Sequence, residues 1–579
     1  MPCLLVDVGS TFIKYNVYEE ISKAILLSDR IPFPSPNLNK DDRFSVPVSK
    51  INKSLDIVFS VAKKFSCAKI FFCVQMHGYI LRSQSNGFGD YISWRDNSGD
   101  ISDPRLKDID LNEMGTSLKR NLPLVKLVFK DVAGEFFTLG SYIAWYFTGN
   151  NATHITDAAA SGFFFADSGK RNGFCEELKM PKVYTNVRSV GSCCGIRIYS
   201  AIGDHQSSFL GSGAEDDKYL LNIGTATQIS CVCTSKYPNG EYEKRPYFDG
   251  KRLCTVSGLI GGGEIFDGKG YDTLLFQIEK AMERLPLKNE IVLGGGGSER
   301  FYSFFSEKIK GFGLKCSLVK ENIGIEGLKM IADKTEIKTG TMLSEICFSN
   351  FPIIAKKNGL NFIIVDNEHG YFDYSDIAQL TVKSKLVGLD MIVRIGNSDR
   401  GHITKLADMG VTGFLLPMTN TPEDIEKVIK YAKYPPAGKR GVSTTRAHTL
   451  YSPPPLDEYM EEANRKIKIY AQTETAEGIK NLDKILALEE VDGVFIGPND
   501  LSVDLNCVGD KRAIIKIIEQ IAGIANDANK PFGIITGDKS LIDASINNNV
   551  SMISVGSELN MLINGCKQIK KIKEEIYNG

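Results

Sequence analysis

Two acidic residues stand directly behind two neighbouring predicted strands, and their types and spacing suit a metal site. Glu474 follows the strand-forming run KIKIYAQ, and Asp500 follows the short apolar run GVFIG. An amphipathic helix from Ala476 to Leu488 is predicted between them, which makes a strand–helix–strand unit with parallel strands. Both carboxylates then project from the same carboxyl edge of the sheet. Neither QTET, which contains Glu474, nor GPNDLS, which contains Asp500, has a lysine or arginine, so this pair of oxygen ligands suits a divalent cation.

The motifs around these acids, QTET and GPNDLS, resemble those of the class II pyruvate aldolases of the HpcH/HpaI type. This family contains hydroxy-oxo-heptanedioate aldolases and 2-dehydro-3-deoxy-sugar-acid aldolases. The resemblance implies that Glu474 and Asp500 hold a divalent metal such as Mg²⁺, Mn²⁺ or Co²⁺. That metal would chelate the 2-oxo group and carboxylate of a pyruvate unit and act as a Lewis acid. Outside the family pattern, the two acids would be solvated side chains in loops.

Further residues of this predicted site follow from the same resemblance. It implies that Arg394, in VRIG, adds a fixed donor fork to the oxygen of the developing enolate. It also implies that His369, in VDNEHG, is the acid/base residue and is oriented by Asp408 on the following helix. Arg440 and Arg446, in YPPAGKRGVSTTRA, are expected to hold an anionic substrate or a neighbouring subunit. One departure is VGSE at 555–558, where an aspartate is expected after the serine.

A second set of motifs occupies residues 1–335. The chain opens with an apolar strand, a Gly-Ser-Thr turn and an alternating second strand. Gly9 lets backbone amides approach a phosphate closely, and Asp7 is placed to hold a magnesium ion through water. Later motifs are VQMHG, SWRDNSG, DAAASGFFF, AIGDHQSSFLGSG, NIGTATQIS, SGLIGGG and VLGGGG. In this order they resemble the FGGY carbohydrate kinases of the actin-like ATPase superfamily, with a spelling closest to the sedoheptulokinase/xylulokinase-like branch.

The kinase resemblance implies a role for each motif. Asp204 of GDHQ would be the general base that takes a proton from the sugar hydroxyl. The residues expected to line the sugar pocket are Gln75, His77, Trp94, Arg95 and Asp96. Those expected to bind ATP and its Mg²⁺ are Asp7, Gly9, Ser10, Thr11, Gly224 and Thr225 near the phosphates, and Gly294, Gly295 and Gly296 beside the adenosine. About 70 residues separate Gly224 from Gly294, where the family usually carries a longer helical insert, so the second lobe is predicted to be shortened.

From Thr339 onward, runs typical of strands alternate with amphipathic segments. The candidate strands are TMLSEI, NFIIVD, MIVRI, GFLLPM, KIKIYAQ, GVFIG, PFGII and MISVG. Eight such repeats in this length predict a (β/α)₈ TIM barrel. The predicted fold class is therefore α/β: a two-lobed, actin-like (ribonuclease H-like) kinase domain followed by a barrel. The predicted domains are an N-terminal kinase lobe over 1–200, a shortened C-terminal lobe over 201–335, and the aldolase barrel over 336–579.

The composition excludes several classes of protein. Of 579 residues, 42% are hydrophobic and 24% charged, and the net charge of −1 gives no case for binding nucleic acid or an anionic membrane. No apolar run reaches the length of a membrane-spanning helix. Asp7 interrupts the first apolar run, so neither a signal peptide nor a membrane anchor is expected. The 13 cysteines lack metal-type or secreted-type spacing, which predicts a reduced, cytoplasmic setting.

The sequence as a whole predicts a bifunctional enzyme. One activity is ATP-dependent phosphorylation of a ketose-like sugar, and the other is metal-dependent aldol chemistry on a 2-oxo-3-deoxy acid. Small-molecule sugars and 2-oxo acids are the expected partners, and a homo-oligomer through the barrel is expected. One alternative is a monofunctional aldolase whose relict kinase-like domain only binds or senses a sugar. A non-enzymatic scaffold of two relict domains is disfavoured, because the catalytic residue types are intact.

Overall fold

The computed structural model describes residues 2–578 apart from 36, 39–43, 84, 86, 129, 131, 215–216, 225, 234–239, 262–269, 312 and 321. The chain divides into two compact units, Met1–Thr335 and Glu336–Gly579. Both units combine strands with helices, as the predicted α/β class requires.

The first unit contains several sheets. Its described strands are β1 Pro2–Val8, β2 Phe12–Glu19, β3 Ala24–Pro32, β4 Asn37–Leu38, β5 Phe44–Val46, β6 Lys69–Val74, β7 Tyr79–Ser83, β8 Gly87–Phe88, β9 Tyr91–Ile92, β10 Gly134–Thr138, β11 Ala152–His154, β12 Leu178–Lys179, β13 Lys182–Tyr184, β14 Ser189–Cys193, β15 Ile196–Tyr199, β16 Ile202–Gly203, β17 Lys218–Ile223, β18 Thr227–Cys233, β19 Glu243–Pro246, β20 Arg252–Leu259, β21 Glu290–Gly294 and β22 Lys315–Leu318. Its described α-helices are Val48–Lys64, Pro123–Leu127, Leu139–Thr148, Ile155–Ala158, Asp204–Gly211, Tyr271–Met282, Ser298–Lys310 and Ile323–Lys334.

Two of these sheets share one topology. In the first, β1, β2 and β3 form an antiparallel meander, and β6 joins the other side of β1 in parallel. In the second, β17, β18 and β20 form the meander, and β21 and β22 follow in parallel. The apolar side chains of β1 and β6 are buried because helices cover the sheet. The hairpin predicted at the start of the chain is confirmed as β1 and β2.

Two helices of the first unit cross at unusually close range. Ser207, on the helix Asp204–Gly211, donates its hydroxyl to the Gly324 carbonyl oxygen at 2.7 Å. A Cβ on Gly211 or on Gly327 would collide with the backbone of the opposite helix. Glycine at both positions therefore permits the crossing, which involves the middle and the end of the helix that Asp204 begins.

The second unit is the predicted barrel. Its strands are β23 Lys338–Leu343, β24 Phe362–Asn367, β25 Asp390–Ile395, β26 Gly413–Leu416, β27 Lys468–Thr473, β28 Gly493–Ile496, β29 Phe532–Ile535 and β30 Met552–Ser557. They close in chain order, and every neighbouring pair is parallel. The described helices around them are Phe351–Lys357, Tyr374–Val387, Arg400–Met409, Pro422–Ala432, Leu456–Lys466, Ala476–Leu486, Pro498–Asp504, Lys511–Asp527, Lys539–Asn547 and Glu558–Asn578.

Two further features bear on the predicted setting of the protein. Among the helices that the structure describes, none combines the length and apolar character needed to cross a bilayer. Cys233 on β18 and Cys254 on β20 are joined in a disulfide, a bond that the predicted reduced setting did not include.

Two candidate active sites

In the barrel, an arginine at the end of β25 is fixed between two acids at the end of β24. Arg394 donates from Nε to Asp366 Oδ1 at 3.0 Å and from Nη2 to Asp366 Oδ2 at 2.7 Å. Its Nη1 lies 3.3 Å from Glu368 Oε2. Burial opposes ionisation of Asp366, but the hydrogen bonds and charge of Arg394 hold the pKa of Asp366 below its usual value. The guanidinium is thus held in one plane, with one edge directed toward Glu368.

The two predicted metal ligands occupy the ends of the next strands round the barrel. Glu474 follows β27 and is 3% exposed, and it accepts from the Met418 backbone at 2.9 Å and from Gln472 Nε2 at 2.6 Å. Asp500 lies in the first turn of the helix Pro498–Asp504 and is exposed. Burial, together with the nearby charge of Asp500, raises the pKa of Glu474. The two carboxylates are therefore close enough for the charge of Asp500 to act on Glu474.

The donor set at this end of the barrel suits a divalent cation. Glu474 is influenced by the charges of Asp500, Glu368 and Arg394, so acids outnumber bases in the cluster. A cation would stabilise the ionised form of a buried carboxylate that has like charges around it. Within the described residues, no group of three or more His, Cys, Asp or Glu side chains is placed to share one ion. Glu474 and Asp500 are the carboxylates of this cluster that would hold such a cation.

The predicted acid/base pair is not assembled as the family pattern implied. His369 is 75% exposed, and its Nε2 lies 3.8 Å from Glu368 Oε2. Asp408 instead forms an ion pair with Arg440, with Nη2 2.6 Å from Oδ1. Asp408 also accepts a hydrogen bond from His448 Nδ1 through its backbone carbonyl oxygen. The prediction that Asp408 orients His369 finds no such contact among the described residues, because Arg440 occupies the carboxylate.

The two arginines of the predicted substrate loop have different surroundings. Arg440 is 3% exposed, and its guanidinium lies 4.7 Å from the centre of the Tyr434 ring. Arg446 is exposed and donates from Nε to Ser443 Oγ at 3.0 Å. Arg440 is buried and paired with Asp408, whereas the side chain of Arg446 is accessible to an anion from solvent.

The glutamate of VGSE takes a defined place in the barrel. Glu558 accepts hydrogen bonds from the backbone amides of Ser344, Glu345 and Ile346, at 2.7 to 3.0 Å. It is 5% exposed. One carboxylate thus accepts hydrogen bonds from three backbone amides of the turn that follows β23.

In the first unit, Asp204 and Asp7 lie close enough to affect one another. Asp204 begins the helix Asp204–Gly211, and Asp7 lies on β1. Burial, followed by the charge of Asp7, raises the pKa of Asp204 to about 7. Asp7 is 3.7 Å from Lys14 Nζ. A carboxyl group with a pKa near the working pH is suited to general-base catalysis.

Four other predicted residues gather at the first turn of this unit. Gln75 donates from Nε2 to the Gly9 carbonyl oxygen at 3.5 Å, and Arg95 donates from Nη2 to Ser10 Oγ at 3.3 Å. Gly9 closes the hairpin by donating its backbone N–H to the Phe12 carbonyl oxygen at 3.1 Å. The predicted phosphate turn and part of the predicted sugar pocket are therefore adjacent.

The remaining predicted sugar-pocket residues are His77, Trp94 and Asp96. His77 is buried at the positive φ of 63°, and its ring Nδ1 lies 2.8 Å from the Ala160 carbonyl oxygen. Trp94 lies beside Arg95, whose guanidinium is 5.6 Å from the ring centre. Asp96, however, is 1% exposed and forms an ion pair with Lys126 at 2.9 Å. The same oxygen, Oδ1, also accepts from the Ser98 hydroxyl.

The predicted nucleotide glycines converge from two loops. Gly297 donates its backbone N–H to Ile223 at 3.0 Å, which places the Gly294–Gly296 run beside Gly224. Gly295 has a φ of 93°, and a Cβ at Gly296 would meet no atom within 4 Å. Open space above a glycine loop suits the approach of a nucleotide. Thr11 is exposed in the opposite turn, and Thr225 lies outside the described residues.

Sequence analysis did not single out several residues that the structure places in these sites. In the barrel it is Gln472, and in the first unit they are Lys119, Glu243 and Arg245. Gln472 opens the quoted motif QTET, so its position at a strand end was a usable signal. Asp366 and Glu368 were recognisable in VDNEHG, where they follow the second predicted barrel strand together with His369. No local pattern joins Lys119 to Glu243, because Glu243 lies on β19, more than 100 residues further along the chain.

Comparison with known proteins matches residues 352–565 to the family described as HpcH/HpaI aldolase/citrate lyase. A hydroxypyruvate/pyruvate aldolase of Roseobacter denitrificans is 32% identical over 219 residues, which cover 36% of this chain and 83% of that protein. A 5-keto-4-deoxy-D-glucarate aldolase of Escherichia coli is 30% identical over 203 residues, covering 35% and 78%.

The first unit is similar to a solved kinase. The ligand-bound xylulose kinase of Lactobacillus acidophilus has a TM-score of 0.51 at 16% identity, covering 57% of this chain and 89% of that one. At this level of identity the likeness concerns the fold alone. It confirms the predicted sugar-kinase fold of the first unit.

Replacing Glu558 tests whether its carboxylate supports the barrel. Glu558→Gln keeps the shape but loses the charge that strengthens three backbone hydrogen bonds, so the barrel should lose about 1–2 kcal/mol of stability. Differential scanning calorimetry of the full chain measures this as a lower melting temperature for one transition. Glu345→Gln removes a charge from an exposed residue of the same turn and should have no such effect. Equal melting temperatures for the two variants would contradict the assignment.

Proposed function

The chain belongs to the HpcH/HpaI aldolase/citrate lyase family, and from that premise we propose that it is a bifunctional enzyme of carbohydrate metabolism. The barrel catalyses metal-dependent aldol cleavage or condensation of a 2-oxo-3-deoxy acid, with pyruvate or a related 2-oxo acid as the nucleophile. The first unit transfers a phosphoryl group from ATP to a sugar hydroxyl. The observation that carries the aldolase activity is the Arg394 guanidinium held by Asp366 beside Glu368, within range of the charge of Glu474.

In the barrel, each residue has one task. Glu474 and Asp500 hold a divalent cation such as Mg²⁺, Mn²⁺ or Co²⁺, which when bound acts as a Lewis acid on the 2-oxo group. Gln472 and the Met418 amide hold Glu474 in place. Arg394 donates hydrogen bonds to the oxygen that becomes negative in the enolate. Asp366 keeps the guanidinium aimed at that position.

The proton transfers of cleavage fall to the exposed histidine. His369 takes the proton of the substrate hydroxyl as the carbon–carbon bond breaks, and the aldehyde forms. The electron pair of that bond passes into the enolate, whose oxygen faces Arg394. Proton return to the enolate carbon completes pyruvate, and the same steps reversed give condensation.

In the first unit, the chemistry depends on positioning. Asp204 takes the proton of the sugar hydroxyl while the oxygen–phosphorus bond forms and the bond to ADP breaks. The turns at Gly9–Thr11 and at Gly224 would hold the phosphates of ATP, and Asp7 would hold its Mg²⁺. Gly294, Gly295 and Gly296 lie beside the adenosine. Support for the base is the raised pKa of Asp204, caused by its burial and by the charge of Asp7.

We also propose that the enzyme is a cytoplasmic homo-oligomer assembled through the barrel. The last helix, Glu558–Asn578, exposes Ile569, Ile572 and Ile576 to 69%, 56% and 71%. These residues recur at the spacing of one helical face, which is the pattern of a helix that packs against a partner. Light scattering that gives the monomer mass of 63.9 kDa at micromolar concentration would contradict the assembly.

Arg394→Lys tests the enolate role. Lysine cannot reproduce the two-point contact with Asp366 and the edge toward Glu368, so turnover should fall by about 10²–10³ while the affinity for metal stays unchanged. Exchange of the pyruvate methyl protons in D₂O, followed by NMR, measures enolisation directly. Arg465→Lys, at an exposed position of the helix Leu456–Lys466, should leave the rate unchanged.

Metal removal provides the second arm of that experiment. A chelator should stop the exchange, Mg²⁺, Mn²⁺ or Co²⁺ should restore it, and Asp500→Asn should need more metal for the same recovery. Full exchange in a chelator-treated sample would overturn the scheme. A borohydride-trapped adduct on a lysine would also overturn it, because it identifies a Schiff-base mechanism.

Asp204→Asn tests the phosphotransferase role. The substitution removes the base with little change of volume, so ATP-dependent phosphorylation should fall by about 10²–10⁴ while the aldol reaction continues at its normal rate. Asp272→Asn, in the exposed first turn of the helix Tyr271–Met282, is the matched control. If the wild-type protein binds no nucleotide by calorimetry and phosphorylates no ketose, polyol or sugar acid, the alternative of a monofunctional aldolase with a relict sugar-binding domain holds.

A further inference from the structure

The loop that carries Arg95 is anchored on both sides. On one side, the backbone N–H of Ser93 donates to the carbonyl oxygen of Phe44 at 2.9 Å. On the other side, Asp96 forms an ion pair with Lys126 at 2.9 Å, and both side chains are buried. The backbone at Arg95 is thus held in place, and the half-buried Arg95 side chain extends from a fixed position.

From this loop, Arg95 reaches the first turn of the chain. Its Nη2 donates to Ser10 Oγ at 3.3 Å, and its guanidinium lies 5.6 Å from the centre of the Trp94 ring. Within the described residues, no carboxylate forms an ion pair with Arg95. The side chain therefore brings a positive charge to the turn, and no described acid neutralises it there.

The turn itself has further donors that the hairpin does not use. The backbone N–H of Gly9 closes the hairpin by donating to the Phe12 carbonyl oxygen at 3.1 Å. In the described part of the chain, the backbone N–H groups of Ser10 and Thr11 donate to no backbone acceptor. The Ser10 hydroxyl accepts from Arg95, so its own proton can be donated to another group. Two adjacent amides, a hydroxyl and a guanidinium suit an anion.

A phosphoryl group fits these donors better than a sugar does. During transfer, the phosphoryl group spreads negative charge over three oxygens, and a planar guanidinium can donate to two of them at once. A sugar hydroxyl can accept a single hydrogen bond from Arg95 but leaves its charge without a partner. The contacts of Arg95 therefore favour the phosphate side of the site over the sugar pocket in which sequence analysis expected it.

We propose that Arg95 is a catalytic residue of the first unit that binds the phosphoryl group during its transfer, and that Ser10 positions the guanidinium. The inference rests on the proposed phosphotransferase function and adds a residue to it. The bond from the sugar oxygen to phosphorus forms as the bond from phosphorus to the leaving oxygen of ADP breaks. The proton of the sugar hydroxyl passes to Asp204, and the charge on the phosphoryl oxygens is stabilised by Arg95.

The separate effects on kcat and KM distinguish this role from a place in the sugar pocket. In the full chain, Arg95→Gln should lower the kcat of phosphoryl transfer by about 10²–10³ and leave the KM of the sugar unchanged, because the contact is made to the phosphoryl group. Release of ADP measures the rate, with the ketose or polyol that the wild-type protein phosphorylates fastest. A higher KM of the sugar with an unchanged kcat would overturn the inference.

Two further variants test the geometry. Arg95→Lys keeps the charge but loses the planar fork, so it should retain only part of the wild-type kcat. Ser10→Ala removes the hydroxyl that Arg95 contacts, and its loss of kcat should not add to that of Arg95→Gln in the double variant. Ser10→Ala also keeps the test valid if Arg95→Gln does not fold. Full additivity of the two losses would contradict positioning by Ser10.

The control variant is Arg105→Gln. Arg105 is the next arginine along the chain, is exposed, and is paired with Asp103. Removing its charge should leave both kcat and KM unchanged, because the residue lies outside the proposed site. A loss of kcat equal to that of Arg95→Gln would show that the effect is not specific to Arg95, and would overturn the inference.

Calorimetry measures the same contact without turnover. Mg²⁺, ADP and aluminium fluoride together imitate the phosphoryl group in transfer, and the wild-type protein should bind ADP about 10² more tightly with the fluoride than without it. Arg95→Gln should remove most of this gain and leave the affinity for ADP alone unchanged. An equal gain in the variant and the wild-type protein would overturn the inference.

The outcomes separate this inference from the function on which it rests. Phosphoryl transfer that Arg95→Gln leaves at the wild-type rate overturns the role of Arg95 and leaves the kinase activity standing. Nucleotide binding without transfer to any acceptor refutes the kinase activity. In that case, a gain from aluminium fluoride that Arg95→Gln removes still supports binding of a phosphoryl group at this turn. A protein that binds no nucleotide overturns both.

Discussion

The ion pair between Arg394 and Asp366 is the interaction on which the aldolase site depends. Asp366 takes the Nε and Nη2 edge of the guanidinium, so the charge cannot turn toward Glu474 and neutralise it. The acids at the ends of β27 and β28 therefore remain available for a cation. A buried pair of this kind contributes little net stability, because desolvation offsets the attraction. Its effect is to fix where one positive charge lies among several negative ones.

The first unit also has to position charged side chains, and it does so through different contacts. Glu243 lies between Lys119 and Arg245, and the cations outnumber the acid. Asp204 and Asp7 are acids of the same unit. Burial, followed by the negative charge of Asp7, raises the pKa of Asp204. The helix that carries Asp204 is held by the close crossing at Gly211 and Gly327. A backbone constraint, and not a salt bridge, therefore sets the position of the proposed base.

Patterns that repeat along the chain were predictable, whereas side-chain pairs between distant segments were not. The strands of the barrel follow from apolar periodicity, and parallel order alone places Glu474 near Asp500. The pairing of Asp408 with Arg440 spans 32 residues, and nothing local distinguishes it from the expected contact with His369. The turn-capping role of Glu558 was also not predictable, although VGSE stood out in the sequence, because its partners are backbone amides, which every residue except proline carries.

The buried atoms without partners argue against a purely relict first unit. Each such atom costs about 1–3 kcal/mol when it is left unpaired, and the native state of a whole domain is stable by only about 5–15 kcal/mol. Among the described residues, Thr116 Oγ1 and Gln206 Oε1 are two such atoms, on residues that line one small cavity of the first unit. In a domain kept only for its fold, valine at the position of Thr116 would give higher stability. Valine fills the same space and has no unpaired hydroxyl. This cost is consistent with a first unit that is stabilised when a hydrogen-bonding group pairs with these two atoms.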